Sequence, residues 1–371
     1  MNSITVMLKP SSSACNLRCK YCFYADLAGK RDTFSFGKMT EDTVLHILDN
    51  IFSNLNDGDQ LHFTFQGGEP TLVGLDWYKS FVEMVSTRKN KINIGYALQT
   101  NGTLLDDAWC EFLHQNNFLV GISIDAMPKT HNSCRIDIDN KGTYNSVLNT
   151  VLLMRKHKVE FNVLCTLTSE IAQHPQQVWK WICQNNFDYV QFTPCLGNLD
   201  EPGKSPYALR PKRFATFYTE LFKLWLMDLR LGKYRSIKLF DDIVNLLAYG
   251  VPTSCGINGR CTCQIVVESD GSVYPCDFYC IDKYRMGSLT DTSVMDLLKS
   301  NVAQDFLTRH KEKSSLCNTC PYSQFCGGGC HRMQREIYCA PEDTYCGYKA
   351  FLDYSINDFK MIAISQRRMR R

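Results

Sequence analysis

The sequence predicts an α/β fold, a partial (β/α)6 TIM-like barrel joined to a smaller, cysteine-rich C-terminal domain. Six short apolar, aromatic or β-branched runs, at 4–8, 61–65, 92–98, 118–124, 160–167 and 189–192, alternate with stretches of helical period. A polar cluster follows each of the first four runs, and cysteines crowd from residue 255 onward. Such alternation implies parallel strands with crossover helices, and six units suit an open barrel better than a closed eight-fold one.

Taken in order, the first run leads into Cys15, Cys19 and Cys22. Thr40 is placed to cap a helix with Glu41 and Asp42 in its first turn and an apolar stripe of Val44, Ile47, Leu48 and Ile51. The second run ends in Gln66-Gly67-Gly68-Glu69-Pro70, the third in Gln99-Thr100-Asn101-Gly102-Thr103 and the fourth in Ser123-Ile124-Asp125. In a parallel sheet these clusters share the rim formed by the C-terminal strand ends, where chemistry collects. Pro211 opens a long striped helix to about residue 231, and a second helix over 237–248 bridges onward. Residues 266–274 read as a hairpin turning at Asp270-Gly271. The domain limits read as 1–235 for the barrel, 236–254 for the bridge, 255–346 for the cysteine-rich domain and 347–371 for a terminal helix and basic tail.

A chain of 371 residues with 44% hydrophobic content can bury a large core. Its start lacks the pattern of a signal peptide and no run reaches membrane-spanning length, so the expected location is the cytoplasm. A net charge of +3, with Lys and Arg scattered, offers no footprint for nucleic acid. Arg367, Arg368, Arg370 and Arg371 read as a solvated tail.

Nineteen cysteines in a reducing compartment are ligands or core thiols rather than a disulfide framework. The Cys15-x3-Cys19-x2-Cys22 triplet can hold three irons of a [4Fe–4S] cube and leave the fourth open to a small molecule. Exposed clusters of this kind point to an anaerobic or micro-aerobic host. Cys317-x2-Cys320-x5-Cys326-x3-Cys330 is a second ligand run, its Gly327, Gly328 and Gly329 letting backbone approach a bulky core. Zinc serves such spacings too, but the second knuckle of a zinc ribbon is missing, so iron–sulfur is the favoured reading. Cys110, Cys134, Cys165, Cys183 and Cys195 are dispersed and read as core thiols.

The triplet with Tyr21 before its third cysteine, the Gly67-Gly68-Glu69-Pro70 segment and the six strand–helix units resemble the radical S-adenosylmethionine enzymes. The C-terminal cysteine pattern is similar to the SPASM extension of that superfamily. Cys22-Phe23-Tyr24, Phe65-Gln66-Gly67-Gly68-Glu69-Pro70-Thr71-Leu72, Leu98-Gln99-Thr100-Asn101-Gly102-Thr103 and Tyr274-Pro275-Cys276-Asp277-Phe278-Tyr279 look like the anaerobic sulfatase-maturating enzymes over nearly the whole chain.

That resemblance implies three [4Fe–4S] clusters and S-adenosylmethionine. Cys15, Cys19 and Cys22 would hold the reactive cluster; Cys255, Cys261, Cys276 and Cys330 one auxiliary cluster; Cys317, Cys320, Cys326 and Cys346 the other, with Cys339 competing for the last place and Cys263 and Cys280 spare. Gly68 would offer backbone to the amino end of S-adenosylmethionine, Ser123 and Arg135 would reach its carboxylate, and Tyr21 and Leu196 would contact the adenosyl part. Glu69 would bind the ammonium group or anchor the Gly-Gly turn.

The implied reaction is hydrogen-atom abstraction by a 5′-deoxyadenosyl radical from Cβ of a Cys or Ser in a Cys/Ser-x-Pro-x-Arg stretch of an unfolded or nascent sulfatase, ending as Cα-formylglycine. Asp277 is the implied base, since a carboxylate shielded from water beside an anionic cluster is a better proton acceptor than an exposed one. Tyr24 is a substrate-side neighbour. The implied electron donor is of flavodoxin or ferredoxin type, and the expected state is a monomer. Ala126-Met127 stand where the family usually has Gly-Pro, and Ala14 where Gly is common, so the loop after Asp125 is expected to run differently. The rival readings are a maturase cross-linking ribosomally made peptides, against which the closeness of Cys15 to the start leaves no room for a leader-recognition domain, and a zinc-bearing binding module without catalysis.

Overall fold

The computed structural model describes residues 3–88, 91–201, 204–309, 313–340, 342 and 344–369. Its strands are β1 (Ser3–Leu8), β2 (Gln60–Phe65), β3 (Asn93–Thr100), β4 (Phe118–Ser123), β5 (Glu160–Leu167), β6 (Tyr189–Pro194), β7 (Ser236–Ile237), β8 (Ile265–Val267), β9 (Ser272–Tyr274) and β10 (Gly287–Ser288). The first six fall on the six apolar runs, with helices between them. The chain packs as two compact units, neither of them continuous in sequence.

The first unit comprises Met1–Ser123, Cys134–Phe161 and Cys263–Arg309. In it β1, β2, β3 and β4 lie side by side and parallel, with Val6 opposite Phe63 and Leu98 opposite Val120. Alternation places Ile4, Val6 and Leu8 inward, along with Leu61, Phe63 and Phe65. The helix Glu41–Phe52 starts as expected, Thr40 accepting from the Thr43 amide at 3.1 Å, and it buries Val44, Ile47, Leu48 and Ile51.

The hairpin around Asp270-Gly271 forms from β8 and β9, and it does more than turn. β8 pairs parallel with β1, Val6 opposite Ile265, so residues 263–309 pack with the N-terminal strands rather than with the rest of the cysteine-rich segment. Val266 and Val267 are fully buried, and the pairing covers an edge of β1 that would otherwise present unpaired backbone.

The second unit comprises Ile124–Ser133, Asn162–Thr262 and His310–Arg371. Most of β5 lies here, parallel to β6, which pairs with β7. The helices Pro211–Arg230, Lys238–Tyr249 and Gly347–Met369 pack through aromatic rings, among them Phe222 against Phe359 at 4.6 Å and Trp225 against Phe240 at 5.2 Å. The terminal basic segment is not simply a solvated tail. Arg367 donates to the carbonyls of Leu247, at 3.0 Å, and Ala248, the last acceptors of the helix Lys238–Tyr249. Arg370 and Arg371 lie outside the described residues.

The segment after Asp125 has a left-handed residue where the family usually has proline. Ala126 is fully buried with its amide directed at the Cys165 thiol at 3.4 Å, and Met127 adopts φ +68°. A proline ring holds φ near −65° and could not occupy that position. We therefore expect Met127→Pro, the residue usual at this place, to destabilise the protein by more than about 1 kcal/mol, read as a lowered thermal midpoint.

Candidate active site

The triplet loop is held from two strand ends of the first unit. Gly68 donates its amide to the Ser12 carbonyl at 2.8 Å and Glu69 donates to Ala14 at 2.7 Å, which fastens the end of β2 to the approach to Cys15. A Cβ on Gly68 would come within 2.1 Å of the Ala14 carbonyl oxygen, and Gly67 sits at φ +121°, so both glycines are required by close approach. From the end of β3, Asn101 donates to Asn16 at 2.9 Å and lies 3.9 Å from the Cys15 thiol. Burial pushes the Cys15 thiol up to about 11, so binding iron there displaces a proton.

Gly68 has committed its N–H to Ser12. An ammonium group, which only donates, would meet the Gly68 carbonyl instead. Glu69 is an anchor: its carboxylate accepts from the Thr71 amide and hydroxyl (3.1 and 2.6 Å), the Thr100 hydroxyl (2.7 Å) and the Asn101 amide (2.8 Å). Burial raises its carboxyl above the ordinary range despite those donors.

Arg135 stacks over the Tyr21 ring at 5.5 Å. Backbone pairing brings them together, Arg18 donating to Ile136 at 2.7 Å and Lys20 to Cys134 at 3.1 Å. Ser123 ends β4 and is 9% exposed, as is Leu196, which follows β6 in the second unit.

Asp277 opens a short 3-10 turn directly after Cys276. Tyr24 donates its phenol to Oδ2 at 2.5 Å; the Gln66 side-chain oxygen lies 3.1 Å away on the same hydroxyl, and the single proton belongs to the nearer, charged acceptor. Burial holds the Tyr24 phenol well above its usual range, so it remains a donor. Lys9 Nζ lies 3.1 Å from Oδ1, close enough for an ion pair but not aligned as a hydrogen bond.

Lys9 went unnoticed in the sequence, where it follows a strand without belonging to any motif. It is 1% exposed and stands among Asp277, Glu268 at 3.6 Å and the Cys280 thiol at 3.2 Å. Burial alone would lower its pKa, but Cys280, Asp277 and Glu268 more than offset that and the net shift is upward. Burial also pushes Cys280 up to about 12, so near neutral pH it is an uncharged thiol and the two carboxylates supply the counter-charge. Glu268 is itself held by Arg31 at 2.6 Å and Ser12 at 2.8 Å. Two cations and two carboxylates thus close a buried, balanced network, and Cys280 has a place in it.

In the second unit several of the cysteines expected to be auxiliary ligands lie together. Cys317, Cys320, Cys326 and Cys346 line one pocket, with Cys339 and Gly328 in the same wall. Cys339 and Cys346 are paired across an isolated antiparallel bridge, so sequence order alone could not separate them. Cys255 and Cys261 lie near enough to Cys330 to act on its thiol electrostatically. Gly256, at φ +72°, could carry no side chain there, since a Cβ would stand 2.8 Å from that of Cys330. Cys276 falls in the first unit. Among the described residues no three His, Cys, Asp or Glu side chains gather as a single ion requires, whereas a cube takes each thiolate on a separate iron. Cys110, Cys134, Cys165 and Cys195 are buried core thiols, Cys183 is half-buried, and Cys263 packs at 3.5 Å from the Met286 sulfur.

A parallel α/β sheet carrying the cysteine triplet, with a cysteine-rich C-terminal region, defines a radical S-adenosylmethionine enzyme. Residues 10–178 match the family model of the Radical SAM superfamily and residues 255–321 that of an iron-sulfur cluster-binding domain. The chain belongs to the anaerobic sulfatase-maturating enzyme family: it is 38% identical over 98% of both chains to the cysteine-type enzyme of Clostridium novyi (strain NT). It is 27% identical to the serine-type enzyme of Bacteroides thetaiotaomicron, over 94% of this chain and 88% of that one. Among solved structures it is similar to native anSMEcpe with bound AdoMet and Kp18Cys peptide, at 37% identity and TM-score 0.90, covering 98% of this chain and 99% of that one.

Two outcomes are expected. Gly68→Ala drives a methyl into the Ala14 backbone, so after anaerobic reconstitution the purified variant should retain less iron than the wild type. Lys9→Ala leaves Asp277 without its counter-charge, Arg31 still neutralising Glu268, and should cost about 3–5 kcal/mol, read as a lowered unfolding midpoint.

Proposed function

We propose that this enzyme oxidises the side chain of a cysteine, within a Cys-x-Pro-x-Arg stretch of an unfolded or nascent sulfatase, to Cα-formylglycine. The single observation that carries the reading is the carboxylate of Asp277, poised between Tyr24 and Lys9 in the same unit as the triplet. The higher identity to the cysteine-type relative, 38% against 27% for the serine-type one, supports cysteine as the target. The domain limits remain those proposed from the sequence, with the hairpin as the barrel's neighbour.

In this reading Cys15, Cys19 and Cys22 hold the reactive [4Fe–4S] cluster, Cys255, Cys261, Cys276 and Cys330 a second, and Cys317, Cys320, Cys326 and Cys346 a third. Together with S-adenosylmethionine, the loaded clusters supply a hydrogen-atom acceptor for Cβ and an acceptor for the second electron. Gly68 receives the amino group of S-adenosylmethionine on its carbonyl, Arg135 and Ser123 face its carboxylate, and Tyr21 and Leu196 bound its adenosyl part.

The chain's own chemistry is proton handling. Oδ1 of Asp277 is buried against Lys9, and the side chain as a whole is 15% exposed; in this reading Oδ2, which accepts from Tyr24, is the oxygen that meets the substrate. Oδ2 takes the thiol proton on its remaining lone pair, and the Tyr24 phenol fixes the direction in which that lone pair points; with the Cβ hydrogen atom and a second electron also removed the side chain is a thioaldehyde, which water hydrolyses to the aldehyde with release of hydrogen sulfide. Lys9 keeps the carboxylate from turning away.

Its place is the cytoplasm, whose reducing conditions keep the ligand thiols free, and it works as a monomer fed by a flavodoxin- or ferredoxin-type donor. Among the described residues no helix is long and apolar enough to cross a membrane. The test is anaerobic reconstitution with Cys-x-Pro-x-Arg and Ser-x-Pro-x-Arg peptides, followed by mass spectrometry and aldehyde trapping. Aldehyde should form on the cysteine peptide; cofactor cleavage without aldehyde on either would redirect the reading to peptide cross-linking. Asp277→Asn should still cleave S-adenosylmethionine and form formylglycine at least about a hundredfold more slowly, the low end of what a positioned base contributes. Full product formation would remove Asp277 from the mechanism.

A further inference from the structure

Gly197, the residue after Leu196, has both of its backbone groups held by one ion pair. Its amide donates to Glu336 Oε1, and its carbonyl accepts from an Arg332 guanidinium nitrogen. Arg332 and Glu336 complete the triangle between themselves at 2.6 Å, with side-chain exposures of only 9% and 2%. The pair stands on a short helical turn, His331–Met333, that continues into a single π-helical turn, Gln334–Tyr338, a local irregularity that nature tends to keep where it serves a function.

The same arginine also faces the auxiliary thiols. The backbone amides of Arg332 and Met333 donate to the thiol of Cys330. One residue therefore touches a cluster ligand with its main chain and the end of β6 with its side chain. Nothing in Gly197 itself calls for so much. A buried peptide group needs its hydrogen bonds, yet a neutral loop contact would meet that need without the desolvation of two full charges. An ion pair with a fork-shaped donor on one side and a carboxylate on the other instead fixes the two peptide groups that flank the Gly197 Cα, and through the first of them the backbone that carries the preceding side chain.

We propose that Arg332 and Glu336 are positioning residues for S-adenosylmethionine: by locking the peptide groups on both sides of Gly197 they hold Leu196 against the adenosyl group, and they tie that contact to the loop that carries Cys330. The assignment rests on the functional reading above for the roles of Leu196 and Cys330. It places the adenosyl contact and an auxiliary-cluster ligand on one short chain of bonds, so a change at either end is felt at the other.

The test is binding rather than turnover. Wild type, Arg332→Lys and Glu336→Gln are reconstituted anaerobically, iron and sulfide are counted, and the affinity for S-adenosylmethionine is measured by equilibrium dialysis. The change in the electron paramagnetic resonance signal of the reduced cluster on adding S-adenosylmethionine is followed in parallel. Arg332→Lys keeps a cation beside Glu336, so the buried charge stays matched, but it lacks the second arm for the Gly197 carbonyl. Each variant should bind S-adenosylmethionine roughly tenfold more weakly, the loss of one charge-assisted hydrogen bond, with iron content unchanged and the spectral change displaced to higher ligand concentration. Unchanged affinity in both variants would overturn the proposal. Loss of iron with affinity intact would also overturn it, since the pair would then serve cluster retention alone. Aldehyde formation is not read in this experiment, so an error in the peptide substrate would not alter its outcome.

Discussion

A lysine ammonium taken out of water must be met by negative charge, and Lys9, at the end of the first strand, is almost wholly buried. The anions that meet it are Glu268, at the end of β8, and Asp277, in the turn that follows β9. The requirement gives a reason for the hairpin to lie where it does, its first strand beside β1 and its following turn beside Tyr24. Asp277 is therefore placed by charge balance as much as by chain connectivity. Arg31 neutralises Glu268 from its other side, which lets Lys9 attend to Asp277.

The glycine pair at the end of β2 works by the opposite means, by having nothing there. Backbone of residues 12–14 passes through the space where side chains would stand, and the resulting bonds to Gly68 and Glu69 set the height of the triplet loop above the strand ends. Glu69, often the eye-catching residue of such a segment, commits its acceptor capacity to Thr71, Thr100 and Asn101. It ties two strand ends together and leaves ligand contacts to its neighbours.

Much of this was legible in the sequence because it is local. Periodicity marked the six parallel strands, Thr40 and its acidic first turn marked a helix start, and the spacing of Cys15, Cys19 and Cys22 pointed to an open iron. The contents of the Cys317 pocket were partly legible too, since Cys317, Cys320 and Cys326 are near neighbours in sequence. What could not be read were pairings without period or motif. Lys9 and Cys280 are separated by 271 positions, Arg31 and Glu268 by 237, and Gly197 and Glu336 by 139. The signal that was present is compositional: Lys9 and Glu268 directly follow the apolar strands β1 and β8, where a solvated charge is out of place. Met127 was half legible, since the missing Gly-Pro announced a different loop while only the backbone shows which residue bears the left-handed turn.

The first unit closes only with Cys263–Arg309 in place, although its strands begin at Ser3. For a chain made from its N-terminus, this sets an order of events on the ribosome. The triplet cysteines emerge early, yet the counter-charges of Lys9 and the partner strand of β1 emerge only after most of the polypeptide has been synthesised. Until then the N-terminal strand has a bare edge and an unmatched cation. Cutting the chain near residue 235 would freeze it in that condition, so the barrel segment is a portion of the sequence and not a unit of folding. Insertion of the first cluster into a settled site is accordingly an event of the nearly finished chain.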